Sequence, residues 1–85
     1  MAMIDTPEGA ESLARTLIAD ISRFEDANIR VGIANGNVRA AISEMLEEGR
    51  EVYENSVVGA LCGPGDAYDR AFDAMLAERA RKSGE

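Results

Sequence analysis

The chain predicts an all-α fold: one antiparallel three-helix domain, a long helical hairpin against which a shorter third helix returns. Three observations carry this. Apolar residues recur at three- and four-residue steps through most of the 85 residues, as one face of a helix requires. Two breaks, Asn35-Gly36-Asn37 and Gly63-Pro64-Gly65, divide the periodic runs with residues that favour turns. Each run also opens with a residue suited to cap a helix, Thr6, Asn37 or Asp66, whose side-chain oxygen can satisfy an amide that the first turn leaves unpaired. The predicted helices span about 7–34, 38–59 and 66–81 within a single domain, and the ends, 1–5 and 82–85, are expected to be flexible.

The first helix has a clear start. Pro7 suits the first helical position, where its missing N–H costs nothing, and Glu8 and Glu11 place negative charge at the positive end of the helix dipole. Ala10, Leu13, Ala14, Leu17, Ile18, Ile21, Phe24, Asn28 and Val31 then follow at helical steps and are expected to face inward. Glu11 with Arg15 and Asp26 with Arg30 are acidic-first pairs four residues apart, which solvate the outer face.

Asn35-Gly36 ends this run with residues that tolerate positive φ, and Asn37 begins the next. A phosphate-cradling loop would need a longer glycine-rich stretch, a Lys and a following Ser or Thr, so the stretch reads as a helix-to-helix corner. The second helix turns Val38, Ala41, Ile42, Met45, Leu46, Gly49, Val52, Tyr53 and Val57 inward. Gly49 on that stripe costs roughly 1 kcal/mol relative to alanine, which close approach of another helix would offset; a bend at Gly49 is the other reading. In the third helix Tyr68, Ala71, Phe72, Met75 and Leu76 face inward, with Asp66, Asp69 and Asp73 early and Arg79, Arg81 and Lys82 late, matching the helix dipole.

Composition bounds the function. With 46% apolar and 29% charged residues, the chain is too hydrophobic for a disordered tail. Nine basic against sixteen acidic residues give a net charge of −7, which repels nucleic acid. No apolar run approaches the roughly 20 residues that span a bilayer, and "MAMIDTPEGAE" lacks the basic and apolar regions of a signal peptide. A cytoplasmic location and no membrane partner are therefore expected. Cys62 is alone and histidine is absent, so neither an internal disulfide nor a zinc site can be assembled.

The same absence of histidine removes the Ser-His and Cys-His nucleophiles, and no catalytic residue or cofactor is expected. Tyr53 and Tyr68 read as core-edge residues. Glu44, Glu47, Glu48, Glu51 and Glu54 could present oxygens to a cation, but all except Glu48 lie opposite the apolar stripe and do not converge. They read as a solvated acidic face, with a docking surface for a basic partner and a carboxylate metal site as the alternatives.

Helix lengths suggest where association would occur. The three helices would measure roughly 41, 33 and 24 Å, so the third should run beside the second and stop short of the Asn35-Gly36 corner. Ile29 and Ile33 lie outside the arc of the first inward stripe, and one helix cannot bury two faces in one small core. Ile29, Ile33, Val38 and Ile42 are therefore the expected interface at an open end, with Gly49 allowing close packing; two-fold pairing with a second copy is the economical cover.

The segments "SLARTLIADISRFEDANIRVGIANGNVRAAISEMLEEGREVYENSVV" and "DAYDRAFDAMLAE" resemble a helical segment at the C-terminus of larger bacterial proteins, notably acidobacterial and deltaproteobacterial ones. The matching features are Leu13-Ala14-Arg15, Asp20-Ile21, Gly32 with Asn35-Gly36-Asn37, Glu48 with Arg50, Tyr53-Glu54 with Val57, and Asp66 with Tyr68 and Leu76. The similar segments accompany zinc-ribbon-like or signalling modules and have no assigned activity; the resemblance implies an accessory, assembling role and transfers no catalytic residue. Where those segments often carry a basic or aromatic residue after the Asp-Ile pair, this chain has Ser22-Arg23-Phe24. The expected function is a non-catalytic interaction module, a homodimerising adaptor or accessory subunit. A small acidic inhibitor occupying a partner's basic site is the alternative, with a carboxylate-based metal-binding protein after it.

Overall fold

The computed structural model describes residues 3–83. Among them the chain forms five α-helices and one 3-10 turn: α1 Pro7–Phe24, α2 Asp26–Asn35, α3 Val38–Ala41, α4 Ser43–Ser56, the turn Gly59–Leu61, and α5 Ala67–Ser83. The all-helical expectation holds. Each of the first two expected helices is broken once, at Glu25 and at Ile42, and the second ends at Ser56.

Thr6 caps α1 by accepting the Gly9 N–H at 3.2 Å, with Pro7 in the first turn. Glu25 then leaves helical geometry at φ −106° and ψ 23°. The Glu25 N–H still donates to the Ile21 carbonyl and the Ile29 N–H to the Glu25 carbonyl, both at 2.8 Å, so α2 prolongs α1 rather than folding back. Laid end to end, their 18 and 10 residues would measure roughly 42 Å, close to the longest molecular dimension of 41 Å.

The corner after α2 is a Schellman-type cap. Gly36 takes φ 73°, its N–H donates to the Ile33 carbonyl at 3.2 Å, and the Asn37 N–H donates to the Gly32 carbonyl at 2.8 Å. Asn37 makes no side-chain cap hydrogen bond, so its position was legible but not its expected capping role. Gly32 lets the next helix cross closely: a Cβ there would stand 2.8 Å from the Val38 Cα.

α1 packs against both α4 and α5. Ile4 pairs with the strand-like residue Val57, donating its N–H to Ser56 at 2.8 Å and accepting from Val58 at 2.9 Å. This places the start of α1 beside the end of α4 and ties down part of the segment expected to be free. Lys82 and Ser83 continue α5; residues 1–2 and 84–85 of the expected flexible ends lie outside the described residues. Arg70 reaches Glu11 at 3.4 Å and Arg79 reaches Asp26 at 2.9 Å, so α5 runs parallel to α1 and packs chiefly on it, not on the second hairpin helix as expected.

The core joins Ala10, Ala14, Ile18 and Ile21 of α1 with Ile29, Ile42, Leu46, Tyr53, Val57, Ala67, Tyr68 and Phe72. Full burial of a side chain such as Ile29, Val57 or Phe72 contributes about 1.5–3 kcal/mol each. Beyond Ile21 the inward series takes a step of four, to Glu25, Ile29 and Gly32, not the step of three that leads to Phe24 and Val31. Both series are apolar enough to be plausible by spacing; the contact of Gly32 with α3 selects the former. Phe24 is consequently 77% exposed and Val31 58%, and Val52, also expected inside, is exposed.

Gly49 is buried on α4 as expected, and what approaches it is the Tyr68 side chain. The Tyr68 hydroxyl passes over Gly49 to donate to the Leu46 carbonyl at 2.8 Å, and a Cβ at position 49 would collide with that hydroxyl and lie 3.1 Å from the Ile21 Cδ1. On an open helix Gly49→Ala would gain roughly 1 kcal/mol. Here it is expected to destabilise by about 1–3 kcal/mol through overpacking and the lost hydrogen bond, measured by urea denaturation; a gain in stability would contradict this packing.

Candidate interaction site

The most concentrated polar contacts join the middle of α4 to the start of α5. Arg50 is the one basic residue of α4. Its Nη1 donates to Asp66 Oδ2 and its Nη2 to Asp69 Oδ1, both at 2.5 Å. Asp66, whose side chain is 4% exposed, also accepts the Gly63 N–H at 2.9 Å and, as the cap of α5, the Asp69 N–H at 3.1 Å. Asp69 returns to accept the Gly65 N–H at 3.0 Å, with Gly65 at φ 75°. The Arg50 guanidinium stacks 4.7 Å from the Tyr68 ring centroid, in the cation–π range.

These contacts set the local charge states. Burial alone would push the Asp66 carboxyl up, but the Arg50 hydrogen bond and the Gly63 and Asp69 amides outweigh it and hold the group below its usual range. Burial pulls Arg50 down while Asp66, Asp69 and Glu54 raise it, with a net rise. Burial pushes the Tyr68 hydroxyl up to about 12. The Cys62 thiol is raised by burial and then by the charges of Asp66 and Glu54, so it holds its proton at neutral pH and lacks the thiolate character of a nucleophile. The cluster ties α4 to the start of α5 through two charge-assisted hydrogen bonds.

A second joint lies at the other end of α5. Arg79 donates to Asp26 Oδ1 at 2.9 Å, to the Ser22 carbonyl at 2.9 Å and to the Ser22 hydroxyl at 2.7 Å. It binds the helix end of α5 to both sides of the break at Glu25.

The residues expected to form an interface are distributed differently from that expectation. Ile29 is fully buried and Ile42 is buried with it in the core; Val38 packs on the same cluster partly buried, and Gly49 is covered by Tyr68. Ile29, Ile42 and Gly49 are therefore not available surface, because α2 turns Ile29 and Gly32 toward α3. Ile33 remains at the surface, 36% exposed beside Arg30, Arg79 and Lys82.

The outward surface of α2 and the last residue of α1 includes Phe24, Asn28 and Val31, which the helical stripe places inward. Phe24, Ala27, Val31 and Ala34 are all exposed and follow one another at steps of three, four and three, which places them on one helix face. Asn28 and Asn35, also exposed, border it. None of the six is charged, in a chain with 29% charged residues. The signal available in the sequence was this uncharged spacing; what hid it was that Phe24 and Val31 fit the inward stripe equally well.

The exposed glutamates of α4 form a separate surface. Among the described residues Glu44, Glu47, Glu48 and Glu51 make no ion pair, and no group of three acidic or thiol side chains is placed to hold a metal ion. No described helix is long and apolar enough to cross a membrane. Compared with known protein families, characterised proteins and solved structures, the chain matches none.

Replacing Arg50 with Met leaves two carboxylates without their cation, one of them buried. Discounted for the partial exposure of Arg50 and Asp69, the loss expected in urea denaturation at neutral pH is about 2–3 kcal/mol. Because the folded Asp66 carboxyl binds a proton less readily than the unfolded one, its contribution is present above the ordinary carboxylate range, about pH 4, and is lost as pH falls through the lower folded value. The melting temperature should therefore drop as pH is lowered from about 5 to 3, and Asp66→Asn should flatten that dependence while lowering stability at neutral pH; an unchanged slope would contradict the assignment.

Proposed function

We propose that this chain is a non-catalytic interaction module: a helical core, clamped through Arg50, that holds out Phe24 at the end of α1 with Ala27, Val31 and Ala34 of α2 as one face for a helix of another chain. The observation that carries the reading is the inversion of α2. A surface helix places charged and polar residues outward, whereas this one turns an uncharged apolar row outward, with Phe24 and Val31 more than half exposed. Contiguous exposed apolar surface of this kind marks sites of association, and a helix laid along another buries residues at this spacing. The expected accessory role of the similar bacterial segments agrees with such a module.

A second reading has its own support, the unpaired glutamate row of α4, which suits a partner with a basic surface. The two differ in salt dependence, because screening weakens exposed charge pairs but not apolar burial. With the intact chain as bait in its native extract, a partner held by the α2 face stays bound at high salt and is lost with Val31→Glu. A partner held by α4 is released at high salt, is indifferent to Val31→Glu and is weakened by Glu47→Gln with Glu51→Gln. Since Val31 is exposed, Val31→Glu should change stability by no more than about 0.5 kcal/mol, which thermal melting checks.

A further inference from the structure

We infer that the occupant of the outer α2 face is the same face of a second copy, in antiparallel two-fold pairing; this rests on the reading of that face as a docking surface. Charge comes first. Two copies each carrying −7 repel wherever their acidic surfaces meet, and Phe24, Ala27, Asn28, Val31, Ala34 and Asn35 form a row free of charge. At its rim Arg23 is paired with Asp20 at 2.8 Å and Arg30 with Asp26 at 3.1 Å, so both cations there are balanced within each copy, while the Glu25 carboxylate at the other edge accepts from Asn28 at 2.6 Å. The row itself carries no carboxylate for a basic partner, Glu25 lying at its edge, whereas among the described residues Glu44, Glu47, Glu48 and Glu51 of α4 are exposed and without an ion pair.

Side-chain size then selects the direction. An isologous contact must be complementary to itself, and well-packed helix contacts set large residues against small ones. Antiparallel pairing places Phe24 against Ala34 of the second copy and Val31 against its Ala27, and the two-fold axis repeats both contacts. Parallel pairing would oppose Phe24 to Phe24 and alanine to alanine, crowding one level and leaving the next empty. The alternation of bulky and small residues at 24, 27, 31 and 34 therefore fits one direction. A contact limited to about three helical turns is at the small end of specific interfaces, so the dimer should form at tens to hundreds of micromolar, on the order of what such areas support.

Sedimentation velocity of the intact protein from about 5 to 500 µM, at low and high salt, tests this within the concentration range just given. The expected result is a reversible monomer–dimer equilibrium little changed by salt, with the dissociation constant raised at least tenfold by Val31→Glu. Ala27→Leu separates the directions: facing Val31 of the other copy it should weaken the dimer several-fold, whereas the exchange Ala27→Val with Val31→Ala should leave the affinity near that of the wild type. Circular dichroism confirms that each variant is folded. A strictly monomeric wild type overturns the second copy as occupant, leaving the docking face to be judged by partner capture with Val31→Glu. A dimer indifferent to Val31→Glu overturns both the occupant and the face, and a dimer tightened by Ala27→Leu overturns the antiparallel direction.

Discussion

The forked contact of Arg50 with Asp66 and Asp69 is the constraint on which the arrangement of helices depends. A carboxylate as buried as Asp66 is tolerable only with a cation and hydrogen-bond donors around it, and the guanidinium supplies two parallel donors where a lysine would supply a point charge. Each of those donors takes a different carboxylate, so Arg50 fixes both the cap residue and the third residue beyond it. That determines where α5 begins. It also holds Tyr68 beneath the guanidinium, with its hydroxyl on the Leu46 carbonyl, which leaves no room for a side chain at position 49.

From that anchor the uncovered surface follows by geometry. α5 starts beside the middle of α4, runs parallel to α1 and is tied at Arg79 to Ser22 and Asp26. Its described part lies beside Arg30 and Ile33 and leaves the outer side of α2 uncovered. α3 covers the inner side, where Gly32 admits Val38 and Ile29 enters the core. Among the described residues the row Phe24, Ala27, Val31 and Ala34 is left facing solvent, because the other helices pack elsewhere.

The sequence made the helical class, the start of α1, the Asn35-Gly36 corner and the cap at Asp66 legible, because each rests on chemistry local to a few residues. It also placed Gly49 on the inward side. It did not reveal the breaks at Glu25 and Ile42, where neither Pro nor Gly stands to mark them. The inward register beyond Ile21 was underdetermined for a related reason: Phe24 with Val31 and Ile29 with Gly32 are both at helical steps, and only the crossing of α3 decides between them. That one choice puts Ile29, which is core, in the expected interface and conceals Phe24 and Val31, whereas Ile42, also core, is expected there only because the third helix is too short to reach the corner. Arg50 stands among glutamates in the expected second helix, but its carboxylate partners Asp66 and Asp69 lie 16 and 19 residues away, across a loop whose path spacing does not specify.

Hydrogen exchange read along the backbone at two protein concentrations addresses the central claim most directly, because amide protection reports where local opening is suppressed. On passing from a few micromolar to several hundred, a range set by the size of the contact, protection should rise across residues 24–35 and stay level in α4 and α5. A rise confined to the glutamate face of α4, or no concentration dependence anywhere in the chain, would contradict the account of α2 as the face that a second copy covers.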